Sequence, residues 1–441
     1  MARVRTGLLG VAIGLALADS SIVTLALPDI LREFEVGITS VSWTLTAYNL
    51  AFCLLAVPAA LVARRRPRGA FAAGTVVFAF ATLACGLAWS FDVLVGARAV
   101  QAAGNALMVT AALVLLSETL SSEARAARMW VSAGVVGTAL GPAAGGVLTQ
   151  IAGWESIFLA QVPIVLALVG VLAGIRAHPL APPAERPHWA ANAALFFLSG
   201  GLVAALFLVV LLLVDGWGMS PALAGLVVTV MPAAAIATAR LTPPGSDAGP
   251  RMAAGTILVG GGLAALALLP RAGWAWTIPP QLLIGVGIGL ALLALTERAV
   301  AGKADQVVHG GWTLAARHAG VVAGLLLLAP VLASALDRNE ELAIRAGTAA
   351  VLDAPIAPLD KLRIARDVLA AVDAAQAQER PDVASAFEDR PDEPAYRALL
   401  AELEEQLDRA ITSAFTQPFL IAAALALSAL VPIAVGRGEP L

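Results

Sequence analysis

Apolar runs of about 20 residues recur along the chain, separated by short polar breaks, and that is the length a helix needs to cross a hydrocarbon core of ~30 Å. They fall near 7–27, 42–63, 69–89, 92–116, 129–150 and 156–175, and again near 191–213, 220–239, 252–270, 274–296, 310–336 and 413–436. Inside a bilayer the backbone must satisfy its own hydrogen bonds, so runs of this length read as helices. Only 13% of residues are charged, against about 25% in soluble domains, which excludes a soluble fold. The expectation is an all-α membrane protein with twelve transmembrane helices. Arg3, Arg5 and the apolar stretch Gly7 to Ala18 imitate a secretory signal, but the run continues past Asp19 to Pro28 and reads as a retained first helix.

Lys and Arg in the short loops set the orientation. With the N-terminus inside, the inner loops hold Arg64, Arg65, Arg66, Arg68, Arg125, Arg128, Arg176, Arg186, Arg240, Arg251, Arg298 and Lys303; the short outer loops hold Arg32 and Arg271. Trp89, Trp154, Trp217, Trp274 and Trp276 then fall at the outer boundary, where indole rings prefer to sit. Both termini are therefore expected in the cytoplasm, and the arginine- and alanine-rich composition points to a bacterial cytoplasmic membrane. The net charge of −3 carries no signal for nucleic acid, and Cys53 and Cys85, both inside apolar runs, imply no disulfide framework. Membrane lipids are the expected surroundings of a monomeric chain.

The two sets of six runs match weakly. Val57-Pro58-Ala59-Ala60 pairs with Met231-Pro232-Ala233-Ala234, Ser117-Glu118 with Thr296-Glu297, and Trp130 with Trp312, at offsets rising from 174 to 182. A duplicated six-helix unit follows, which places a substrate site near the bilayer midplane between the halves. The expected units are 1–176, a cytoplasmic linker 177–190, helices seven to eleven over 191–336, an insert 337–411, and helix twelve with its tail over 412–441. The insert holds 17 acidic and 9 basic residues, a net charge of 9 − 17 = −8. Leu359 to Ala374 and a pattern opening at Pro394 read as amphipathic helices, so an ordered extracytoplasmic cap is expected.

Ionisable residues inside spans are costly and mark function by default. They are Asp19, Arg98, Arg317 and His318. Asp19 lies ~18 Å from the inner end of helix one and Arg98 ~9 Å from the outer end of helix four, at 1.5 Å per residue. The two share a level and can pair if their helices are neighbours. Such a pair either loads and unloads a proton or locks the helices statically. His318 can titrate near neutral pH or serve as a buried hydrogen-bonded residue. Arg317 lies beside it, among the close-packing glycines Gly310, Gly311, Gly320 and Gly324. Tyr48, Asn49, Gln101 and Asn105 either line a central cavity or hydrogen-bond between helices.

The N-terminal half resembles the major facilitator superfamily, and within it the drug:proton antiporter branch usually built with fourteen helices. The residues that carry this are Ala18-Asp19-Ser20-Ser21-Ile22-Val23 to Pro28; Arg98 with Gln101 and Gly104; and Gly137-Thr138-Ala139-Leu140-Gly141-Pro142-Ala143-Ala144-Gly145-Gly146. Gly153-Trp154, Ile157-Phe158 and Val162-Pro163 continue it, and Arg317 with Gly320 and Gly324 is similar to a helix-eleven pattern. The resemblance implies a fold of two six-helix bundles, a role for Arg98 in proton coupling, and gating by the bend and close packing at Gly141, Pro142 and Gly145; with the buried ionisable residues read above, the expected coupling residues are Asp19, Arg98 and His318. Two departures stand out. Ala59 and Ala63 replace the glycine and aspartate of the loop after helix two, removing a charge network that latches the family's outward-facing state, and Glu155 stands where an arginine is usual.

The leading expectation is a proton-coupled secondary transporter, not an enzyme, that exports a hydrophobic or amphipathic small molecule by alternating access. Its energy source is the proton gradient, with no cofactor and no metal. The alternatives are a lipid or glycolipid exporter that uses the insert as a cap, and a transporter-derived binding or sensory scaffold whose residues 337–411 contact an external partner. An external enzyme is the least favoured reading, because residues 337–411 contain no histidine or cysteine and the single serine Ser385, which leaves no metal ligands beyond carboxylates and no nucleophile–base set.

Overall fold

The structure, a computed structural model, describes residues 2–172, 175, 178, 185–243, 247–270, 272–300, 303–374, 380–388, 390 and 393–436. Among them there is no strand. The first half comprises α1 (Ala2–Thr24), two short helices across the first loop, α2 (Leu27–Glu33) and α3 (Ile38–Val41), then α4 (Trp43–Arg65), α5 (Pro67–Gly86), α6 (Phe91–Leu120) and α7 (Glu123–Ala152), with the sixth span in two pieces, α8 (Ser156–Leu159) and α9 (Gln161–Leu168). The second half comprises α10 (Trp189–Leu211), a span split at Thr229 into α11 (Pro221–Val228) and α12 (Val230–Leu241), α13 (Ala248–Leu266), α14 (Ile278–Val300) and α15 (Gln306–Asp353). Beyond it lie α16 (Pro358–Ala374), α17 (Pro394–Ala414), and a last span divided into α18 (Thr416–Leu427) and α19 (Leu430–Val435).

Ten of these stretches are long and apolar enough to cross a membrane. The shorter apolar Ser156–Leu168 and the 19-residue α13 complete the order of twelve. Helix one stops earlier than its apolar run, at Thr24; Leu27 and Pro28 open α2, with the proline in the first turn, where its missing N–H costs nothing. Arg176 and Arg271 lie outside the described residues.

Packing repeats between the halves. In the first, α5 packs on α6, α4 on α6 and α1 on α7; in the second, α13 packs on α14, α12 on α14 and α10 on α15. The glycines that permit these contacts also repeat. A Cβ on Gly74 would stand 2.7 Å from the Gly104 carbonyl oxygen, and one on Gly255 2.5 Å from that of Gly287. Small residues at such crossings let backbones touch where no hydrophobic effect drives helices together. The halves join crosswise, α4 against α15 and α7 against α11.

Contacts sort onto two faces. On the face of the N-terminus, Arg64 pairs with Asp305 at 2.7 Å and Arg298 donates to the Gly436 carbonyl. On the far face, Arg32 pairs with Asp215 at 3.1 Å and Trp217 donates to Thr412 Oγ1 at 3.1 Å. Of the rings expected at the outer boundary, Trp89, Trp274 and Trp276 are exposed. Trp154 instead is buried, packs edge-on against Phe34 and Phe158, and donates to Glu33 Oε2 at 2.6 Å. Its indole N–H finds a carboxylate, so the ring is packed in the fold and does not mark its surface.

Helix eleven does not end at 336. No breaker follows Pro330, and α15 continues to Asp353, carrying the chain out of the bundle on the far face. There it meets α16 and α17, which bury Val351, Ile364, Tyr396, Leu399 and Leu403 in a separate small core. Arg390 ties Asp367 at 2.5 Å, and hydrogen bonding from Arg366, helped by Arg390, holds that carboxyl below the usual carboxylate range.

Candidate functional site

Helix α6 turns one polar stripe into the first half. Arg98, Gln101 and Asn105 are spaced by three and four residues and so share a face. Opposite them α1 presents Asp19 and α4 presents Tyr48, all fully buried or nearly so. Arg98 Nη1 donates to Asp19 Oδ2 and to Gln101 Oε1, while Arg98 Nε donates to the Thr44 carbonyl at 3.1 Å. Gln101 Nε2 donates to Asp19 Oδ1 at 3.1 Å and to Thr82 Oγ1 at 2.8 Å. Gln161 Nε2 approaches the same carboxylate oxygen at 3.4 Å. Asn105 donates to the Ala16 carbonyl at 2.7 Å and to the Tyr48 hydroxyl. The Arg98 guanidinium lies over the Tyr48 ring, 4.3 Å from its centroid.

This arrangement answers a steep cost. Ions taken out of water lose several kcal/mol each in practice, recovered only with good geometry and further hydrogen bonds. The Asp19 carboxylate has the charge-assisted guanidinium donor on Oδ2 and amide donors on Oδ1. Saturation is incomplete, however: Arg98 Nη2, Asn105 Oδ1, Gln161 Oε1 and Thr44 Oγ1 are buried without a hydrogen-bond partner. These spare donors and acceptors lie in one shell around a single ion pair.

A second constellation bridges the halves. His318 of α15 donates from Nδ1 to Asn49 Oδ1 of α4 at 2.6 Å and stacks on Phe52, with ring centroids 4.0 Å apart. Tyr48 stands between the two constellations, its ring 6.5 Å from that of His318 on one side and under Arg98 on the other. Asn49 therefore contacts the opposite half, whereas Gln101 and Asn105 stay within their own.

Arg317 differs from its neighbours. The residues three, four and seven positions away on α15, namely Gly310, Thr313, Leu314, Gly320, Val321 and Gly324, are all buried. Arg317 thus shares a face of the helix with buried residues, yet it is itself only partly buried. Among the described residues it makes no hydrogen bond or ion pair.

The structure places Gly141, Pro142 and Gly145 at helix contacts. A Cβ on Gly141 would meet Ser21 Oγ at 2.0 Å and one on Gly145 the Ile22 carbonyl oxygen at 2.4 Å, both on α1. The Pro142 carbonyl faces Gly225 of α11, and Gly146 faces Pro221, where the two halves touch near the far face. On the opposite face an ion pair joins the halves. Arg64 supplies the cation from the first half and Asp305 the anion from the second, while Asp305 also caps α15 by accepting from Val308 N at 3.1 Å.

Sequence reasoning missed Gln161, Thr82 and Asp305. Gln161 carried a signal, a lone amide within the sixth apolar run. Thr82 and Asp305 carried none that separates them from ordinary helix and loop residues.

A family model described as the Major Facilitator Superfamily matches residues 9–328. The drug efflux pump JefA of Mycobacterium tuberculosis is 34% identical over 171 residues, 37% of this chain and 34% of that protein. The multidrug resistance protein Stp of the same species is 37% identical over 35% of this chain and 30% of that protein, and the methylenomycin A resistance protein of Bacillus subtilis 34% over 36% and 35%. The match spans about a third of the length of these relatives. Among solved structures, a bacterial homolog of the human lysosomal transporter Spinster, inward-facing and unoccupied, superimposes with a TM-score of 0.69 at 15% identity, over 100% of this chain and 99% of that one. A POT family transporter gives a TM-score of 0.59 at 13% identity over 75% and 91%. At these identities the likeness is one of fold.

Proposed function

This chain belongs to the Major Facilitator Superfamily, and from that premise we propose that it is a proton-coupled secondary transporter that exports a hydrophobic or amphipathic small molecule by alternating access. The observation that carries the reading is the Asp19–Arg98 pair, an ion pair sealed inside the first half and surrounded by unsaturated donors and acceptors. When the helices shift and the Arg98 guanidinium turns to its other acceptors, a proton takes its place as the partner of the Asp19 carboxylate. The Gln101 and Gln161 amides hold Asp19 in both states, because an amide side chain offers a donor and an acceptor. Tyr48, between Arg98 and His318, relays the shift to the contact between α4 and α15.

The direction of export is supported by the efflux and resistance proteins to which about a third of the chain is similar. The arginine-rich loops on the face of the termini support a bacterial cytoplasmic membrane with both termini inside. Arg317 offers an unpaired donor, so the substrate that suits the pathway best is an amphiphile with an acceptor or anionic end. The test uses proteoliposomes with an imposed pH gradient and a fluorescent carboxylate-bearing amphiphile. Accumulation against its gradient that collapses with a protonophore supports the reading; accumulation indifferent to the pH gradient removes proton coupling from it.

A further inference from the structure

The insert is not packed solid. Its distal half forms the small core around Ile364 and Leu403, whereas its proximal half encloses a cavity of about 180 Å³ bounded by α15, α16, α17 and the end of α10. On α15 alone the lining runs from Leu336 to Val351, sixteen residues or about 22 Å of helix, so the space is elongated along that helix. Its walls are mostly apolar: Val368, Leu369 and Val372 of α16 face the cavity and leave it unfilled, and of the polar residues Thr348 and Gln406 on these walls the Thr348 hydroxyl is already bonded to the Ile344 carbonyl. The charged groups gather at the other end. Asp215, Asn339 and Glu340 lie where α10 leaves the bundle and α15 enters the insert, beside Arg380, which pairs with Asp408 at 2.7 Å and donates to the Gly216 carbonyl at 3.2 Å. Leu211 and Phe415, at the ends of the seventh span and the start of the twelfth, form the floor.

We propose that this cavity is a ligand site outside the membrane core that binds the apolar chain of a single-chain amphiphile, with the chain lying along α15 and the headgroup at the polar mouth beside Asn339 and Glu340. The division of the lining carries the assignment, since a soluble polar ligand would bury its polar groups against Val368 and Leu369 without partners, at a cost for each. An apolar chain gains instead, by about 0.8 kcal/mol per buried CH₂. The floor lies at the ends of spans, level with the bilayer surface, so an amphiphile reaches the mouth from the adjacent leaflet or from the transport pathway without crossing water. Carboxylates outnumber cations at the mouth, which favours a zwitterionic or neutral head over an anionic one. The site rests on the exporter reading only for where its ligand comes from.

The test is photolabelling of the full chain in phosphatidylcholine nanodiscs with a lysophosphatidylcholine carrying a diazirine at the end of its chain, followed by peptide mapping. The expected adducts lie on Ile344–Val351 and around Leu369; adducts confined to lipid-facing spans overturn the site. Gly347 lines the cavity, and a Cβ there meets only Leu403 Cδ2 at 3.3 Å, so Gly347→Trp fills the space. It should lower insert adducts at least tenfold, and so should Ala343→Phe, which enters from another turn of α15. Unchanged labelling in whichever variant keeps its thermal unfolding overturns the proposal. Repeating the labelling with Asp19→Asn separates the two readings: adducts that persist while transport is lost leave the cavity assigned, and labelled wild type without any transport removes the exporter alone.

Discussion

Arg64 and Asp305 join the two halves of the chain by an ion pair of 2.7 Å on the face of the N-terminus, with Asp305 almost wholly buried. The cation comes from the last turn of the second span and the anion from the cap of the eleventh. Neutralising either one leaves the other buried and uncompensated, whereas exchanging them restores the pair. Arg64→Ala and Asp305→Ala should each shift the population toward separation of the halves on this face, read as spin-label distances between α4 and α15. The double exchange should recover the wild-type distance, with a coupling energy of about 1 kcal/mol. Distances unaffected by the single changes would rule out a latch.

Close approach of backbones makes two glycines behave oppositely. A Cβ on Gly320 would stand 1.9 Å from the Phe196 carbonyl oxygen, while one on Gly261 meets nothing within 4 Å. Gly320→Ala should therefore destabilise by about 1–3 kcal/mol through overpacking. Gly261→Ala should be neutral or stabilise α13 by up to ~1 kcal/mol. Thermal unfolding in one detergent compares them, and equal shifts would contradict the packing described.

Much of this fold was legible because lipid leaves few solutions. Run lengths gave the spans, and the basic loops and the duplicated Val57-Pro58 and Met231-Pro232 segments gave the halves. Depth along the helices brought Asp19 and Arg98 to one level before any contact was known. The rest depended on neighbours that spacing does not encode. The length of α15 was hidden because hydropathy falls at 336 while helix propensity does not. Trp154 read as an interfacial ring because Glu33, its acceptor, lies 121 positions away in sequence. The Arg64–Asp305 pair, 241 positions apart, was illegible for the same reason.

Arg317 separates charge from packing. Arg317→Gln should lower transport of a carboxylate-bearing amphiphile about tenfold or more, the loss of one charge-assisted hydrogen bond of ~1.5 kcal/mol. It should leave a neutral analogue nearly unchanged, and Arg317→Lys should retain part of the difference. An equal effect on both substrates in proteoliposomes would show that Arg317 does not contact the anion.

Topology has a direct check. Arg363 on α16 is well exposed, and so is Arg66 after the second span. A cysteine at position 363 should react with a membrane-impermeant maleimide in intact cells, and one at position 66 only after permeabilisation. The reverse pattern would invert the orientation and place the insert in the cytoplasm.

The account turns on Asp19 as the proton carrier. Its most direct test is the number of protons moved per substrate in proteoliposomes, for wild type and for Asp19→Asn shown to be folded by its thermal unfolding and monodispersity. Wild type should couple inward proton flux to outward substrate flux at a fixed ratio. Asp19→Asn should exchange substrate across the membrane without moving protons and without uphill transport. Proton-driven uphill transport retained by Asp19→Asn would contradict the account.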